Sequence, residues 1–409
     1  MKKYNSLTFL SIVFFIVLGF IYSCKNPKQT EKEPYVVMLS VDGFRWDYPD
    51  KVPTPNLDYI AENGVKAKSL KPAFPTKTFP NHYSMATGLY PDHHGIVLNS
   101  FYDEEMDKYY AIRNREAVEN PDFYDGEPIW VTAENQGICS ASYFWVGSES
   151  AVKGVRPTYW KKYDHRFPFE QRLDSVIAWL QLPEEERPHL ILWYIHEPDS
   201  KGHRFGPDSK EIEDCVVYLD SLIGVFITKI EELPYNDEIN VIVTSDHGMC
   251  AISKDRTVYL HDYVDKEWID IIQGYNPNYN IKAKQEFYDT LYTVLKSIPH
   301  IKAWKNTEVP KKFHYGTHPR VMDFVVLADS SWSIRLEGEK AKDGGTHGYD
   351  NGNTDMHAIF YAFGPDFKKG YTQNTFNNID LYPLITNILN LEPAKIDGEF
   401  ENVKMMLIE

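Results

Sequence analysis

Tyr35-Val-Val-Met-Leu-Ser-Val-Asp42 is a run typical of a buried β-strand, and it ends on an acidic residue. Two further segments repeat the arrangement, His189-Leu-Ile-Leu-Trp-Tyr-Ile-His-Glu-Pro-Asp199 and Asn240-Val-Ile-Val-Thr-Ser-Asp246-His247. In an open parallel α/β sheet, ligands bind at the carboxyl ends of the strands. We therefore expect the three acids to converge on one site. Convergent Asp and His side chains favour a bound metal ion and hydrolytic chemistry.

The alternation of strands and helices predicts the fold class. Amphipathic helical patterns lie between the apolar runs, which indicates an α/β domain with a mostly parallel sheet and helices on both faces. Residues 252–342 interrupt this pattern and are rich in Tyr, Lys, Asp and Asn, so we expect an inserted lobe that shapes one wall of the site. The predicted strands are residues 35–41, 189–195, 240–245, 321–327 and 356–363, and the predicted helices are residues 171–180, 211–231 and 283–298.

The N-terminal residues have the features of an export signal. Lys2 and Lys3 precede a mostly apolar stretch over residues 7–22, which is shorter than the ~20 residues of a typical membrane span. Cys24 directly follows Ser23, in an arrangement that resembles a bacterial lipobox. An uncleaved signal anchor is the alternative, and both place the body of the protein outside the cytoplasm. We predict a lipoprotein-type signal peptide over residues 1–23, a lipid-modified Cys24, a polar linker over residues 24–34, a main domain over residues 35–409, and a location in the cell envelope or periplasm.

Net charge and cysteine content limit the possible partners. The formal net charge is −16, which disfavours a nucleic-acid polymer as partner because no basic field offsets phosphate repulsion. A small phosphorylated substrate remains compatible, since bound divalent cations would set the local charge of the site. No protein partner is evident. One disulfide among Cys139, Cys215 and Cys250 is possible, but the absence of a closely spaced pair favours free thiols.

A proline-bounded segment contains a candidate nucleophile. In Lys71-Pro-Ala-Phe-Pro-Thr-Lys-Thr78-Phe-Pro80-Asn-His-Tyr-Ser-Met-Ala-Thr-Gly88, Pro80 suits the first turn of a helix and Gly88 suits its end. Thr78 then lies at the helix N-terminus, where backbone N–H groups and the helix dipole favour a phosphate. A nearby metal ion would activate its hydroxyl for attack. Taken alone, the segment fits an ordinary N-cap threonine better.

Histidines complete the candidate metal site. His203 follows Asp199 by four residues, as on one helical turn, although Pro198, Gly202 and Gly206 favour a loop there. His247 follows Asp246 directly, and His347 stands between glycines in Gly344-Gly-Thr-His347-Gly. These nitrogen and carboxylate ligands favour Zn over Ca or Mg, with Mn and Fe as alternatives. The full set suits two tetrahedral zinc ions with positions left for substrate, and comprises Asp42, Asp199, His203, Asp246, His247 and His347 together with the hydroxyl of Thr78.

With these segments in order, the chain resembles the nucleotide pyrophosphatase/phosphodiesterase family of the alkaline phosphatase superfamily. The resemblance implies an alkaline-phosphatase-like three-layer sandwich and zinc-dependent hydrolysis of phosphodiester or pyrophosphate bonds by the domain of residues 35–409. The matching motifs are Val41-Asp-Gly-Phe-Arg45, Pro75-Thr-Lys-Thr-Phe-Pro-Asn-His-Tyr83, Thr87-Gly-Leu-Tyr-Pro-Asp-His-His-Gly-Ile96, Pro128-Ile-Trp-Val-Thr-Ala-Glu134, Glu197-Pro-Asp-Ser-Lys-Gly-His203 and Ser245-Asp-His-Gly-Met249.

The resemblance also implies individual roles. One zinc ion would be held by Asp199, His203 and His347, and the other by Asp42, Thr78, Asp246 and His247. Thr78 would be the nucleophile that forms a covalent phosphothreonine, and Asn99 would donate a hydrogen bond to a phosphate oxygen. The substrate would be a small phosphodiester such as a nucleotide. Phe79 and Tyr194 would stack on its base, with Tyr163 as a further candidate. The family's lysine after Asn99 has no secure match here, where Arg113 and Arg115 stand instead.

Three other functions fit the residues less well. Sulfatases are disfavoured, because threonine cannot become formylglycine and His82 stands where their motif has arginine. A phosphomonoesterase is the stronger alternative, although the motifs lack an arginine to meet the additional charge of a monoester. A lipid-anchored binding protein without catalysis is disfavoured, because every expected ligand and the nucleophile are present.

Overall fold

The computed structural model of the chain describes residues 33–408. The predicted signal peptide, Cys24 and nearly all of the linker lie outside this range. The strands, in chain order, are β1 Tyr35–Val41, β2 Val65–Ala67, β3 Leu70–Lys71, β4 Ser100–Asp103, β5 Lys108–Ala111, β6 Ser140–Tyr143, β7 Tyr159–Lys161, β8 Leu190–Ile195, β9 Ile239–Thr244, β10 Cys250–Ile252, β11 Thr257–Tyr259, β12 Ile269–Tyr275, β13 Asn278–Ala283, β14 Ile301–Lys305, β15 Phe324–Ala328, β16 Ser333–Arg335, β17 Gly344–Thr346, β18 Phe360–Phe363, β19 Tyr371–Gln373 and β20 Phe376–Asn377.

The α-helices lie mostly between strands of the central sheet, as the sequence pattern predicts. They are α1 Pro55–Asn63, α2 Thr78–Thr87, α3 Pro91–His94, α4 Arg115–Glu119, α5 Ile129–Asn135, α6 Phe169–Leu180, α7 Asp199–Phe205, α8 Lys210–Glu231, α9 Tyr288–Ser297 and α10 Leu381–Ile388.

The central sheet has eight strands in the order β19-β2-β18-β9-β1-β8-β6-β7. Neighbouring strands are parallel except for the two pairs made by β18. The strand β1 lies between β8 and β9. Because these three strands are parallel neighbours, the segments that follow them leave the sheet at the same edge.

Alternate residues of β1 pack into two different cores. Val36 and Met38 belong to one hydrophobic cluster, which includes residues of α2, α5 and α10. Val37 and Leu39 belong to another, which includes residues of α1, α6 and α8. Successive strand side chains point to opposite faces, so helices cover both faces of the sheet. The predicted three-layer arrangement is confirmed, and burial on both faces explains why β1 is apolar throughout.

A separate antiparallel sheet lies within residues 252–342. Its strand order is β12-β13-β15-β14, and with α9 it packs around a cluster that includes Ile281, Leu291 and Phe324. The sequence interpretation of this region as an inserted lobe stays a prediction, including its boundaries.

Some predicted element bounds differ from the observed ones. The strand predicted over residues 356–363 is shorter, because Thr354–Met356 form a 3-10 turn and β18 begins at Phe360. In the intervening segment, Ala358 forms isolated antiparallel bridges with Arg45 and Leu70, so the chain there pairs with segments outside the central sheet before it enters β18.

Two further features concern the described residues. Cys139, Cys215 and Cys250 are unpaired within residues 33–408. In the same range, none of the helices combines the length and apolar character needed to cross a bilayer.

Candidate active site

Three strand ends bring the predicted acidic ligands together. Asp42 directly follows β1, and the backbone N–H of Asp199 donates to its carbonyl oxygen over 3.0 Å. Gly43 allows this contact: its φ is +71°, and a Cβ atom there would lie 2.9 Å from the Cα of Asp199. The N–H of Gly43 donates to Oδ1 of Asp246 over 3.1 Å. The turn after β1 therefore joins the segments after β8 and β9.

Two clusters of candidate metal ligands result. Asp42, Asp246 and His247 present ligand atoms within 4.8 Å of one another, and so do Asp199, His247 and His347. His247 thus lies between the two groups, and its ring stacks on that of His347 with centroids 3.5 Å apart. Nε2 of His203 lies 3.4 Å from Oδ1 of Asp199, next to the second group.

Asp199 and His203 lie on a helix, and the loop expected there is wrong. Asp199 is the first residue of α7 and His203 follows it by four residues, so both side chains lie on one face of the helix. Pro198 stands just before the helix and Gly206, with φ +89°, just after it, so both mark its ends without interrupting it. Gly202 lies against Met249, and a Cβ there would lie 2.8 Å from the Cε of that side chain.

Backbone carbonyls orient the three histidines. Nδ1 of His203 donates to the Gly345 carbonyl over 2.9 Å, and Nδ1 of His247 donates to the Gly248 carbonyl over 2.8 Å. Nδ1 of His347 contacts the carbonyl of Thr76 in the same way, over 2.8 Å. Each contact holds the proton on Nδ1 and leaves the Nε2 lone pair for a ligand. Burial also lowers the pKa of His247 and His347 well below the usual value, which keeps both rings neutral.

The carboxylates have unsatisfied oxygens in the same place. Oδ1 of Asp42, Oδ1 of Asp199 and Oδ2 of Asp246 are buried without a hydrogen-bond partner among the described residues. Burial and the neighbouring carboxylates raise the pKa of Asp42, and burial raises that of Asp246 to about 8. Buried, like-charged carboxylates are unfavourable unless a cation neutralises them. Neutral imidazole nitrogens beside such oxygens fit zinc.

Thr78 lies at this cluster, and its hydroxyl makes no capping bond. It is the first residue of α2, Lys77 is the N-cap, and no side-chain capping bond is present there. The N-cap interpretation of Thr78 is therefore wrong. Its Oγ1 lies 3.3 Å from Nε2 of His247. As expected from the sequence, Pro80 is in the first turn and Gly88 ends the helix, with φ +64°.

Asn99 is fixed beside the start of the same helix. Its Oδ1 accepts a 2.9 Å hydrogen bond from the backbone N–H of Phe79, the residue after Thr78. This contact leaves the amide Nδ2 as the donor for another group.

The predicted aromatic residues line one cavity of ≈ 510 Å³ with Thr78 and the acids Asp42 and Asp199. Phe79, Tyr163 and Tyr194 all contribute to it. The volume lies in the ordinary range for small-molecule sites, about 300–1,000 Å³. The same cavity is lined by residues that the sequence analysis did not assign to the site, among them Glu149, His165 and His196, and by Arg113 and Arg115.

Two buried residues near the site were also missed. His82 contacts the Thr78 carbonyl and Oδ2 of Asp246 through Nδ1, over 2.9 and 3.4 Å. Its position one helical turn after Thr78 could have indicated this contact. Nζ of Lys77 donates to the His347 carbonyl over 2.8 Å and to the carbonyl of Asn276 over 2.7 Å, and burial lowers its pKa to about 7. Such long-range contacts to carbonyls leave no signal in the sequence.

Comparison with known proteins places the chain in a family. The model of the type I phosphodiesterase / nucleotide pyrophosphatase family matches residues 36–350. The human ectonucleotide pyrophosphatase/phosphodiesterase family member 1 is 36% identical over 389 residues, which are 91% of this chain and 42% of the relative. A venom phosphodiesterase of Crotalus durissus collilineatus is 36% identical over 93% of this chain and 46% of its own length. The chain thus spans less than half the length of these two relatives.

Other relatives match over most of their length. The human family member 5 is 34% identical over 97% of this chain and 82% of the relative. The structure of the mouse ectonucleotide pyrophosphatase/phosphodiesterase 5 has a TM-score of 0.88 at 36% identity, covering 91% of this chain and 100% of that one. An inactive Thr→Ala variant of the mouse protein has been solved in complex with AMP, with a TM-score of 0.88 at 35% identity over 92% of this chain and all of that one. The fold is the alkaline-phosphatase-like α/β fold, and the chain belongs to the type I phosphodiesterase / nucleotide pyrophosphatase family.

Proposed function

We propose that the chain is a zinc-dependent hydrolase of phosphodiester or pyrophosphate bonds and that Thr78 is its nucleophile. The observation that carries the proposal is the hydroxyl of Thr78, which makes no capping bond and lies 3.3 Å from Nε2 of His247, beside three buried carboxylates. The main domain of residues 35–409, with the lobe of residues 252–342, would be the catalytic unit.

Two zinc ions would be held by these residues. Asp199, His203 and His347 would hold one ion, and Asp42, Thr78, Asp246 and His247 would hold the other. Bound there, the ions would make the Thr78 hydroxyl more acidic and offset the negative charge of the phosphoryl oxygens. The carbonyls that contact Nδ1 of the three histidines support this role, because they orient each Nε2 toward the site.

Thr78 would act in two steps. Its hydroxyl loses its proton to solvent, Oγ1 attacks phosphorus in line, and the bond to the leaving oxygen breaks, which gives a phosphothreonine that keeps the other ester group. Water then attacks from the side the leaving group has left and the bond between phosphorus and Oγ1 breaks. One proton of the water restores the hydroxyl of Thr78. Asn99 would donate from Nδ2 to a phosphoryl oxygen, since its Oδ1 is engaged by Phe79. The N-terminus of α2 favours the negative charge of the phosphate.

The cavity supports a nucleotide or a related diester as substrate. Phe79, Tyr163 and Tyr194 line it and would stack on a base, and the solved mouse relative holds AMP in its inactive variant. Arg115 also lines the cavity, but it pairs with Glu149 and Glu119. These carboxylates offset the charge of Arg115, so Arg115 is poorly suited to meet the additional charge of a monoester.

A comparison of three substrates tests the proposal. We expect the zinc-loaded protein to cleave a p-nitrophenyl nucleoside 5′-monophosphate with the highest kcat/KM, followed by p-nitrophenyl phosphorylcholine and then p-nitrophenyl phosphate. If kcat/KM were highest for p-nitrophenyl phosphate, the protein would be a phosphomonoesterase and not a diesterase. Complete inactivity of the zinc-loaded protein on all three would favour a binding protein.

Export and lipid attachment complete the proposal. The charged start, the apolar stretch of residues 7–22 and Cys24 support a lipid-anchored protein of the cell envelope or periplasm. Labelled fatty acid should be incorporated into the wild-type protein and not into a Cys24→Ser variant. Equal labelling of the two proteins would rule out attachment at Cys24.

A further inference from the structure

One wall of the cavity is built from two chain segments. Tyr163 and His165 come from the segment after β7, and Tyr194 and His196 come from the end of β8, where they are two residues apart and so share a face. The imidazoles of His165 and His196 stack with centroids 3.8 Å apart and planes 26° apart. The rings of Tyr163 and Tyr194 lie 6.3 Å apart. The spacing of the two segments therefore sets the shape of the wall.

Arg172 links these segments from behind. The residue is 0% exposed, and its Nη1 donates to the Tyr194 carbonyl over 3.0 Å. Its Nε donates to the Phe167 carbonyl over 3.1 Å, and its Nη2 lies 3.4 Å from the carbonyls of Asp164 and His165. A single guanidinium thus binds the backbone on both sides of the wall.

A buried arginine at this position is costly. All four of these hydrogen bonds end on neutral carbonyls, and Arg172 is the fourth residue of α6, near the helix N-terminus, where the dipole disfavours a cation. The rings of Phe144 and Phe169, each 4.9 Å from its Cζ, offset part of this cost. An apolar side chain would fill the space without burying a charge. An apolar side chain lacks the planar guanidinium group, whose separated N–H donors bind both segments at once.

We propose that Arg172 is a positioning residue that holds the Tyr163–Phe167 segment against Tyr194 and thereby sets selectivity for esters that carry a nucleobase. The inference rests on the proposed function, because it assigns the wall to base binding. Arg172 itself does not line the cavity and would contact no substrate. Its effect should therefore depend on whether the ester carries a base.

The test compares two diesters in the zinc-loaded protein: p-nitrophenyl thymidine 5′-monophosphate and methyl p-nitrophenyl phosphate, which lacks a base. Arg172→Lys keeps the charge but provides one nitrogen in place of the fork. We expect it to raise KM for the thymidine ester about tenfold, the size of a partly lost stacking contact, with kcat unchanged. Both parameters for the methyl ester should stay at the wild-type values. Arg172→Met should likewise raise KM for the thymidine ester and leave both parameters for the methyl ester unchanged. The melting temperature of this variant reports whether it folds.

Arg187→Lys is the matched control. Arg187 also binds a backbone carbonyl through two nitrogens, that of Leu182, and lies 3.9 Å from the ring of Tyr235, but it is not among the residues that line the cavity. Its replacement should leave KM for both esters unchanged. An equal loss of kcat/KM on both esters in Arg172→Lys, or an unchanged KM for the thymidine ester, would overturn the inference.

Equilibrium binding of AMP separates this inference from the proposed function. Calorimetry should give an AMP dissociation constant that rises in Arg172→Lys by the same factor as KM, and that stays constant in Arg187→Lys. If the wild-type protein bound AMP but hydrolysed neither ester, the proposed function would fail while weaker AMP binding by Arg172→Lys would still support the role of Arg172. If Arg172→Lys bound AMP as tightly as the wild type, the inference would fail.

Discussion

The hydroxyl of Tyr194 donates a 2.5 Å hydrogen bond to Oδ2 of Asp42. The ring of Tyr194 lines the cavity, and it packs edge-on against His82 with centroids 5.0 Å apart. Asp42 is a predicted metal ligand, and its other oxygen, Oδ1, has no hydrogen-bond partner among the described residues. One tyrosine therefore connects the aromatic wall with the metal cluster, through different parts of its side chain.

Tyr194→Phe should separate these two contributions. The variant keeps the ring and loses the donor, so KM for a nucleoside ester should stay unchanged. Zinc affinity should fall by about 10- to 100-fold, the usual effect of removing a group that orients a metal ligand. Competition with a chromophoric chelator measures the affinity. Tyr194→Leu, which also removes the ring, should raise KM as well, and an unchanged zinc affinity in Tyr194→Phe would contradict the role given to the hydroxyl.

Thr78→Ala should remove turnover without loss of stability. The hydroxyl makes no capping bond in α2 and only a 3.3 Å contact with Nε2 of His247, so its removal should change the melting temperature little. Turnover of a p-nitrophenyl diester should fall by roughly 10³-fold or more, as expected when a nucleophile is lost. Zinc should still bind in part, since the other predicted ligands remain.

Thr78→Ser serves as the matched variant, because it keeps a hydroxyl at the same atom. It should retain measurable turnover and accumulate a phosphoserine in acid-quenched samples, detected by mass spectrometry. Substantial turnover by Thr78→Ala would show that another group attacks phosphorus.

The convergence of Asp42, Asp199 and Asp246 could be predicted because it follows from local features. Each acid stands shortly after an apolar run, and parallel strands deliver such residues to one edge. The helix that begins at Asp199 could not be predicted from the sequence. Pro198 and Gly206 suggest a loop unless it is known that they lie at the two ends of the helix. Residue propensities are a weak guide to whether such a short segment is helical.

Side-chain contacts to backbone carbonyls also could not be predicted from the sequence. The partners of Lys77 are carbonyls of Asn276 and His347, far away along the chain, and one of the partners of Arg172 is the carbonyl of Tyr194. Every residue has a carbonyl, so residue types carry no information about such pairings. Positions of this kind emerge only from the folded structure.

Removal of metal should abolish activity reversibly. A chelator should inactivate the protein, and zinc should restore turnover, with two zinc ions per chain by elemental analysis. One buried oxygen each of Asp42, Asp199 and Asp246 has no hydrogen-bond partner among the described residues, so zinc should also raise the melting temperature. Recovery with magnesium and not with zinc would contradict the zinc assignment.

Asp246→Asn should stabilise the metal-free protein, and more so at high pH. Burial raises the pKa of Asp246 to about 8, so the folded carboxyl is protonated near neutral pH while the unfolded one is ionised. The folded state then binds more protons, and the contribution of Asp246 to stability is lost as pH rises through this pKa. The asparagine stays neutral. The melting temperature of the metal-free Asp246→Asn protein should therefore exceed that of the wild type by more at about pH 9 than at about pH 6.

Two checks isolate this effect. Lys77, whose pKa burial lowers to about 7, titrates in the same range but is present in both proteins and cancels in the difference. With zinc bound, the order should reverse, because the variant has lost a ligand. A difference in melting temperature that does not change with pH in the chelated proteins would show that Asp246 is already ionised in the fold.

Asn99→Asp should lower kcat while preserving the local structure. The aspartate keeps an oxygen for the N–H of Phe79, which in the wild type lies 2.9 Å from Oδ1, but it replaces the Nδ2 donor with an acceptor. Loss of one donor to a developing negative charge typically costs about 10²- to 10³-fold in kcat. The aspartate adds repulsion toward the phosphate, so kcat of Asn99→Asp should fall below that of Asn99→Ala. KM for the nucleoside ester should change little in Asn99→Ala.

Steady-state kinetics of both variants measure these effects. A melting temperature lower in Asn99→Ala than in Asn99→Asp would confirm that the contact with Phe79 is structural. If kcat of Asn99→Asp matched the wild type, Asn99 would have no part in stabilising the phosphoryl oxygens.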